Sequence, residues 1–161
     1  MSNIIPATLT PAAFAPFGEV LDASGAPDKW INAGACGRFH NRARLDFIIG
    51  RAGISLFDAQ PRALPYEFDF VERHPFGSQA FLPMTENPFL VIVAPDRDGR
   101  PGTPLAFLTT PGQGINLHRG TWHGVLTPLH APGLFAVIDR IGDGDNLEEY
   151  VYAQKWCVRE P

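Results

Sequence analysis

Apolar positions fall along this chain in short runs, alternating or continuous, rather than at helical spacing. "EVLDA", "WINAG", "GRFHNRARLDF" and "GISLFDAQP" are followed by "YEFDFVERH", "QAFLPM", "PFLVIVA", "PLAFLTT", "WHGVLTPL" and "GLFAVIDRI". Gly, Pro, Asn and Asp bound each run, and turn chemistry such as "PDRDGRPG" and "TPGQG" separates them, so the pattern predicts strands joined by turns. One helical signal stands out. In "LTPAAFAPFGEV", Thr10 suits an N-cap, Pro11 the first helical position and Gly18 a stop, which predicts a short helical turn before the first strand. The tail "NLEEYVYAQKWCVREP" fits either a helix or a last strand with Tyr150 and Tyr152 on one face. No repeat, low-complexity tract or linker divides the chain, so residues 1–161 are expected to form a single all-β domain with minor helical additions.

Within "EFDFVERH" a period of two puts Phe68, Phe70, Glu72 and His74 on one strand face and Glu67, Asp69, Val71 and Arg73 on the other. A polar pair thus continues an aromatic row. Burying a carboxylate and an imidazole is costly unless they are paired, hydrogen-bonded or ligating. Either a site lies at that end of the sheet or the strand leaves the core at Glu72. A second cluster, "INLHRGTWHGVL", carries His118 and His123 around Gly120. A turn at Arg119 and Gly120 leading into a strand at Thr121 would point His123 into the same cavity, unless it is an ordinary core histidine with a partner of its own.

Composition narrows the function classes. The 16 Gly and 16 Pro are spread without period, as expected for many turns between short strands. A net charge of −4 with no run of Lys or Arg argues against nucleic acid and anionic membranes as partners and for a small molecule. "MSNIIPATLT" lacks a basic lead and an apolar core, and no stretch is long and apolar enough to span a bilayer, so a cytoplasmic protein is expected. Cys36 and Cys157 stand far apart without metal-type spacing, and no disulfide is expected. Lys29 and Lys155 lie outside apolar strands, which gives a Schiff base poor support, and there is no Gly-x-Ser-x-Gly elbow or phosphate loop.

Two motifs carry a resemblance. "HRGTWH" resembles the second cupin motif, with His118 where a proline normally stands, and "ERHPFGSQ" resembles the first, with Glu72 and His74 in place of its two histidines and Gln79 in place of its glutamate. The cupin resemblance implies a double-stranded β-helix barrel. More narrowly, "ERHPFGSQAFLPM", "GINLHRGTWH", "VIDRIGDGDN", "LTPAAFAPFGEVLD" and "INAG" are similar to the ureidoglycolate lyase family, over nearly the whole chain. That resemblance implies release of urea from (S)-ureidoglycolate to leave glyoxylate, by a homodimer, and it suggests nickel.

The implied cleavage needs a base for the substrate hydroxyl, an acid for the departing nitrogen and a cation for the carboxylate. Glu72, His74, His123 and His118 are the candidate catalytic residues; Gln79, Arg140 and Arg73 are the candidate substrate-binding ones. Arg140 ranks above Arg73, which points away from Glu72, and a pair with Asp139 is the alternative for Arg140. Glu72, His74 and His123, with Gln79 as a weak fourth ligand, would suit a divalent metal, whereas Glu72 and Gln79 in ligand positions also fit a metal-poor site working by hydrogen bonds. Two rival functions remain: a cupin oxygenase with a two-histidine, one-carboxylate iron site, and a non-catalytic cupin that binds a small carboxylate.

Overall fold

The computed structural model describes residues 1–161 and is almost entirely β. Two curled sheets face one another. The larger has eight strands, running along its path as Ser2–Ile4, Glu148–Val158, Tyr66–Arg73, Trp122–His123, Phe89–Ala94, Leu105–Leu108 and Ala7–Thr8, with Thr127–Pro128 also paired to Phe89–Ala94. The smaller has five, in the order Gly18–Leu21, Gly114–Leu117, Gln79–Pro83, Leu134–Ile141 and Arg51–Asp58. Lys29–Ile31 with Cys36–Arg38, and Asp96–Arg97 with Arg100–Pro101, form two small ribbons. No helix is long and apolar enough to cross a membrane.

The single helix, Pro11–Phe14, is one turn. Thr10 Oγ1 accepts from Ala13 N at 3.2 Å, and Pro11 occupies the first turn, where its missing N–H leaves no bond unmade. Its Phe14 is fully buried and joins the core between the sheets. The helix ends at Ala15 rather than at Gly18, which already belongs to the next strand. Gly18 is required by approach rather than by turning, since a Cβ there would stand 1.9 Å from the Asn116 carbonyl oxygen. No further helix forms, and the tail resolves as the strand Glu148–Val158.

Alternation decides which sheet face each residue meets. Phe89, Val91 and Val93 enter the core between the sheets with Phe81, Phe107, Ile115, Leu117, Phe135 and Val137. Leu90, Ile92 and Ala94 turn to the other face of the large sheet, where Tyr150, Tyr152 and Trp156 cover them. With both faces covered, this strand reads in sequence as one unbroken apolar run. The alternation expected over Phe68–His74 breaks. Phe68 and Val71 both join the second cluster, and the ladder to the last strand shifts between Val151 and Trp156. Of "GRFHNRARLDF" only Gly37 and Arg38 lie in a strand, the end of Cys36–Arg38.

Phe135 ties the sheets together, its ring edge-on to Phe89 at 5.0 Å and 2% exposed. Phe135→Ala is expected to lower unfolding free energy by about 3–5 kcal/mol in chemical denaturation, the usual range for a buried phenylalanine; a loss under about 1 kcal/mol would show that the sheet-to-sheet contact is not what holds the pair.

Candidate active site

Glu72 lies one residue from the end of its strand and His74 just beyond it. Gly120 brings the third residue. At φ +79 it adopts the left-handed conformation that glycine takes without strain, and its N–H donates to the His74 carbonyl at 3.0 Å. The chain thereby reverses and enters Trp122–His123, where antiparallel pairing sets His123 directly opposite Glu72. Directly opposed residues share a face. Trp122 therefore takes the outer face, under the Arg73 guanidinium at 4.4 Å, and His123 the inner one. One ligand atom from each of Glu72, His74 and His123 lies within 4.8 Å of the others; the two rings are 5.2 Å apart, and His74 Nε2 is 3.9 Å from Glu72 Oε1.

Backbone carbonyls set the chemistry of both rings. His74 Nδ1 bonds the Asn146 carbonyl at 2.8 Å and His123 Nδ1 the Gly124 carbonyl at 2.9 Å. A carbonyl only accepts, so each Nδ1 carries a proton and each neutral ring keeps a bare lone pair on Nε2. Both Nε2 atoms are buried and neither has a hydrogen-bond partner. Burial, reinforced by the neighbouring His74, lowers the His123 pKa to about 4, so this ring is neutral at pH 7. Burial also raises the Glu72 pKa above the usual carboxylate range, with Glu149 adding to the effect and His74 opposing it. Two orphaned imidazole nitrogens beside a carboxylate oxygen fit a divalent transition metal by atom type, by proximity and by their locked tautomers. An apolar cavity lined by Phe81, Phe89, Ile115, Leu117 and Val125 has His123 in its wall.

The other expected site residues fall elsewhere or arrive differently. Gln79 is buried on the small sheet, bonded through Nε2 to Asp139 Oδ2 at 3.2 Å, with its Oε1 unpartnered. His118 does not join the triad: its Nε2 meets Glu19 Oε1 at 3.2 Å in a cleft where Asn116 Nδ2 also donates to Glu19. The Arg140 guanidinium donates to the carbonyls of Ile49, Gly142 and Asp143 and lies over Phe76 at 5.4 Å, so it braces two loops rather than standing open to a carboxylate, and Asp139 bonds Gln79 instead of Arg140. Arg73 is held by Glu148 at 2.6 Å and Asp96 at 2.9 Å on the outer face. Asn146, absent from the sequence reading, holds the site twice. Its carbonyl takes the His74 proton and its Oδ1 accepts from Phe76 N at 2.7 Å. It lies in "VIDRIGDGDN", and only its hydrogen bond to a loop-borne histidine marks it as part of the site.

The family model described as ureidoglycolate lyase matches residues 1–159. A protein of Rhodobacter capsulatus named ureidoglycolate lyase is 62% identical over 151 residues, covering 93% of this chain and 94% of its own. One of the same name from Chelativorans is 48% identical over 165 residues, covering 100% of this chain and 99% of its own. A third, from Rhizobium meliloti and named ureidoglycolate lyase 2, is also 48% identical, over 96% of this chain and 98% of its own. With half-buried Glu72 and His74 beside the buried His123 in a β structure matched over residues 1–159, the chain belongs to the ureidoglycolate lyase family.

Proposed function

We propose that this chain, acting as one domain over residues 1–161 wound as a cupin-type double-stranded β-helix, cleaves (S)-ureidoglycolate to glyoxylate and urea. The observation that carries the reading is the pair of bare, buried Nε2 atoms beside Glu72 in a chain of this family. The substrate carbon bears a hydroxyl, a carboxylate and a urea nitrogen. As the C–N bond breaks, the hydroxyl oxygen becomes the carbonyl of glyoxylate, and its proton must reach the departing nitrogen. No water and no redox partner is consumed. Because both atoms sit on one carbon, a single carboxyl can take the proton and return it, and Glu72, whose pKa burial has raised, suits that work. The neutral His123 holds its lone pair beside the reacting group, with His74 Nε2 next to it. His118 and Arg73 serve the surrounding frame from outside.

Glu72, His74 and His123 would hold a divalent metal. When bound, such an ion lowers the pKa of a coordinated hydroxyl and polarises the bond that becomes the carbonyl. The family resemblance points to nickel, a metal that imidazole ligands suit. A cytoplasmic homodimer fits the same reading. Ile54 and Leu56 stand 76% and 65% exposed on the free edge strand Arg51–Asp58, beside Ile138 and Leu82 on the same face, and a second copy would cover that apolar edge. Sedimentation at the mass of one chain would refute the dimer.

The direct assay incubates the protein with racemic ureidoglycolate, with and without chelator and under anaerobic conditions, and follows urea and glyoxylate together. Equal release of both from one enantiomer, without oxygen, is expected; a requirement for oxygen would favour the iron oxygenase instead, and intact substrate the binding module. His123→Ala and Glu72→Gln should each lower kcat/KM by roughly two to four orders of magnitude. Wild-type rates in both variants would refute the site.

A further inference from the structure

Gln79 opens its strand and pairs across the ladder with Leu117. Leu117 and Phe81 line the same cavity wall as His123, and Phe81 follows Gln79 by two positions, so the Gln79 side chain shares their inward face. It is 7% exposed. Its sole side-chain partner is Asp139, on the neighbouring strand one position beyond the pair Ile138 and Ala80. A carboxylate oxygen accepts hydrogen bonds, so the carboxamide must turn its NH2 toward Asp139 Oδ2. That leaves Oε1 facing away from Asp139, buried and without a partner. The Gln79 NH2 is therefore already engaged, and what the side chain retains is an acceptor. Ureidoglycolate carries three donors, the hydroxyl O–H, the internal N–H and the terminal NH2; the hydroxyl and the internal nitrogen take part in the proton transfer, which leaves the terminal NH2 as the donor free to meet a fixed acceptor, while the carboxylate presents acceptors alone.

We propose that Asp139 is a positioning residue that fixes the rotamer of the Gln79 carboxamide, so that Oε1 accepts a hydrogen bond from the urea NH2 of the substrate. This rests on the lyase reading above. Gln79 then selects for a substrate with an unsubstituted urea end, and its substitution for the usual cupin glutamate has a reason. A glutamate at this position would set two carboxylates together, and neither could donate to the other in the ionised state.

The test compares wild type, Asp139→Ala, Asp139→Asn, Gln79→Leu and the Asp139→Ala/Gln79→Leu double variant for KM, kcat, bound metal and melting temperature. Asp139→Ala should raise KM about tenfold with kcat nearly unchanged, the signature of lost uniform binding. Asp139→Asn, whose Oδ1 still accepts from the Gln79 NH2, should restore KM to near wild type. Gln79→Leu should match Asp139→Ala, and the double variant should be no worse than either, because both changes remove one interaction. Terminal N,N-dimethylation of the substrate should raise the wild-type KM and leave that of Gln79→Leu little changed. An unchanged KM in a folded Asp139→Ala, an Asp139→Asn as impaired as the alanine variant, or bound metal falling in step with activity would each overturn the proposal, the last by making Gln79 a ligand. Absence of turnover by the wild type would overturn the lyase reading and this one with it, whereas turnover with an unaltered KM in Asp139→Ala would overturn this one alone.

Discussion

Everything at the site depends on one register, His123 opposite Glu72. A slip of one residue between these strands would send His123 to the outer face and bring Trp122 inward, because strand side chains alternate. The outer face guards against the slip. Trp122 Nε1 donates to Asp96 Oδ1 at 2.9 Å, Arg73 lies over the indole, and Arg73 also grips Asp96 and Glu148. Each of these ion pairs is worth little alone, being partly exposed. Bound into one cluster with a buried indole, they fix a pairing that spans only two residues on the short strand. The most conspicuous charge in "FVERHPFG" thus serves the chemistry from behind, by holding its strand in place.

Burial then converts position into reactivity. The apolar wall around His123 removes water from its ring and holds it neutral, while the Gly124 carbonyl fixes which nitrogen carries the proton. The same desolvation raises Glu72, so the carboxyl and the His123 imidazole are pushed in opposite directions, the acid toward holding a proton and the ring toward giving one up. Backbone carbonyls complete this tuning by fixing which nitrogen of each ring carries the proton. They also explain why the site sits where the strand Tyr66–Arg73 stops and two loops, with Gly120 and Asn146, close over its end.

Strands and the first helical turn were legible in the sequence because each rests on a local signal: alternation, Gly and Pro punctuation, and Thr10 followed by Pro11. Glu72 and His74 were legible as a pair by spacing, and His123 as their companion through the turn at Gly120. The tail was ambiguous because its unpaired stretch at the register shift spoils the period that would mark a strand. Phe68 misled for the same reason. His118 misled because the turn at Gly120, legible in itself, does not say which sheet the residue before it faces, and here it meets Glu19 on the other sheet. Arg140 misled because its partners are carbonyls, which every residue possesses and no sequence pattern announces, and Arg73 because its carboxylate partners, Glu148 and Asp96, lie far off in the sequence. Asn146 and Asp139 act through one hydrogen bond each on a site residue and leave no local pattern at all.

The central claim is that two buried imidazole nitrogens and Glu72 form a prepared site for a divalent ion. Titrating nickel into chelator-stripped protein while following melting temperature and bound metal tests it most directly. One ion per chain should bind and raise the melting temperature of the wild type, with the rise abolished in His123→Ala and in His74→Ala, since a ligand that binds only the folded state stabilises it. An unchanged melting temperature and no stoichiometric metal in the wild type, or equal binding by the variants, would contradict it.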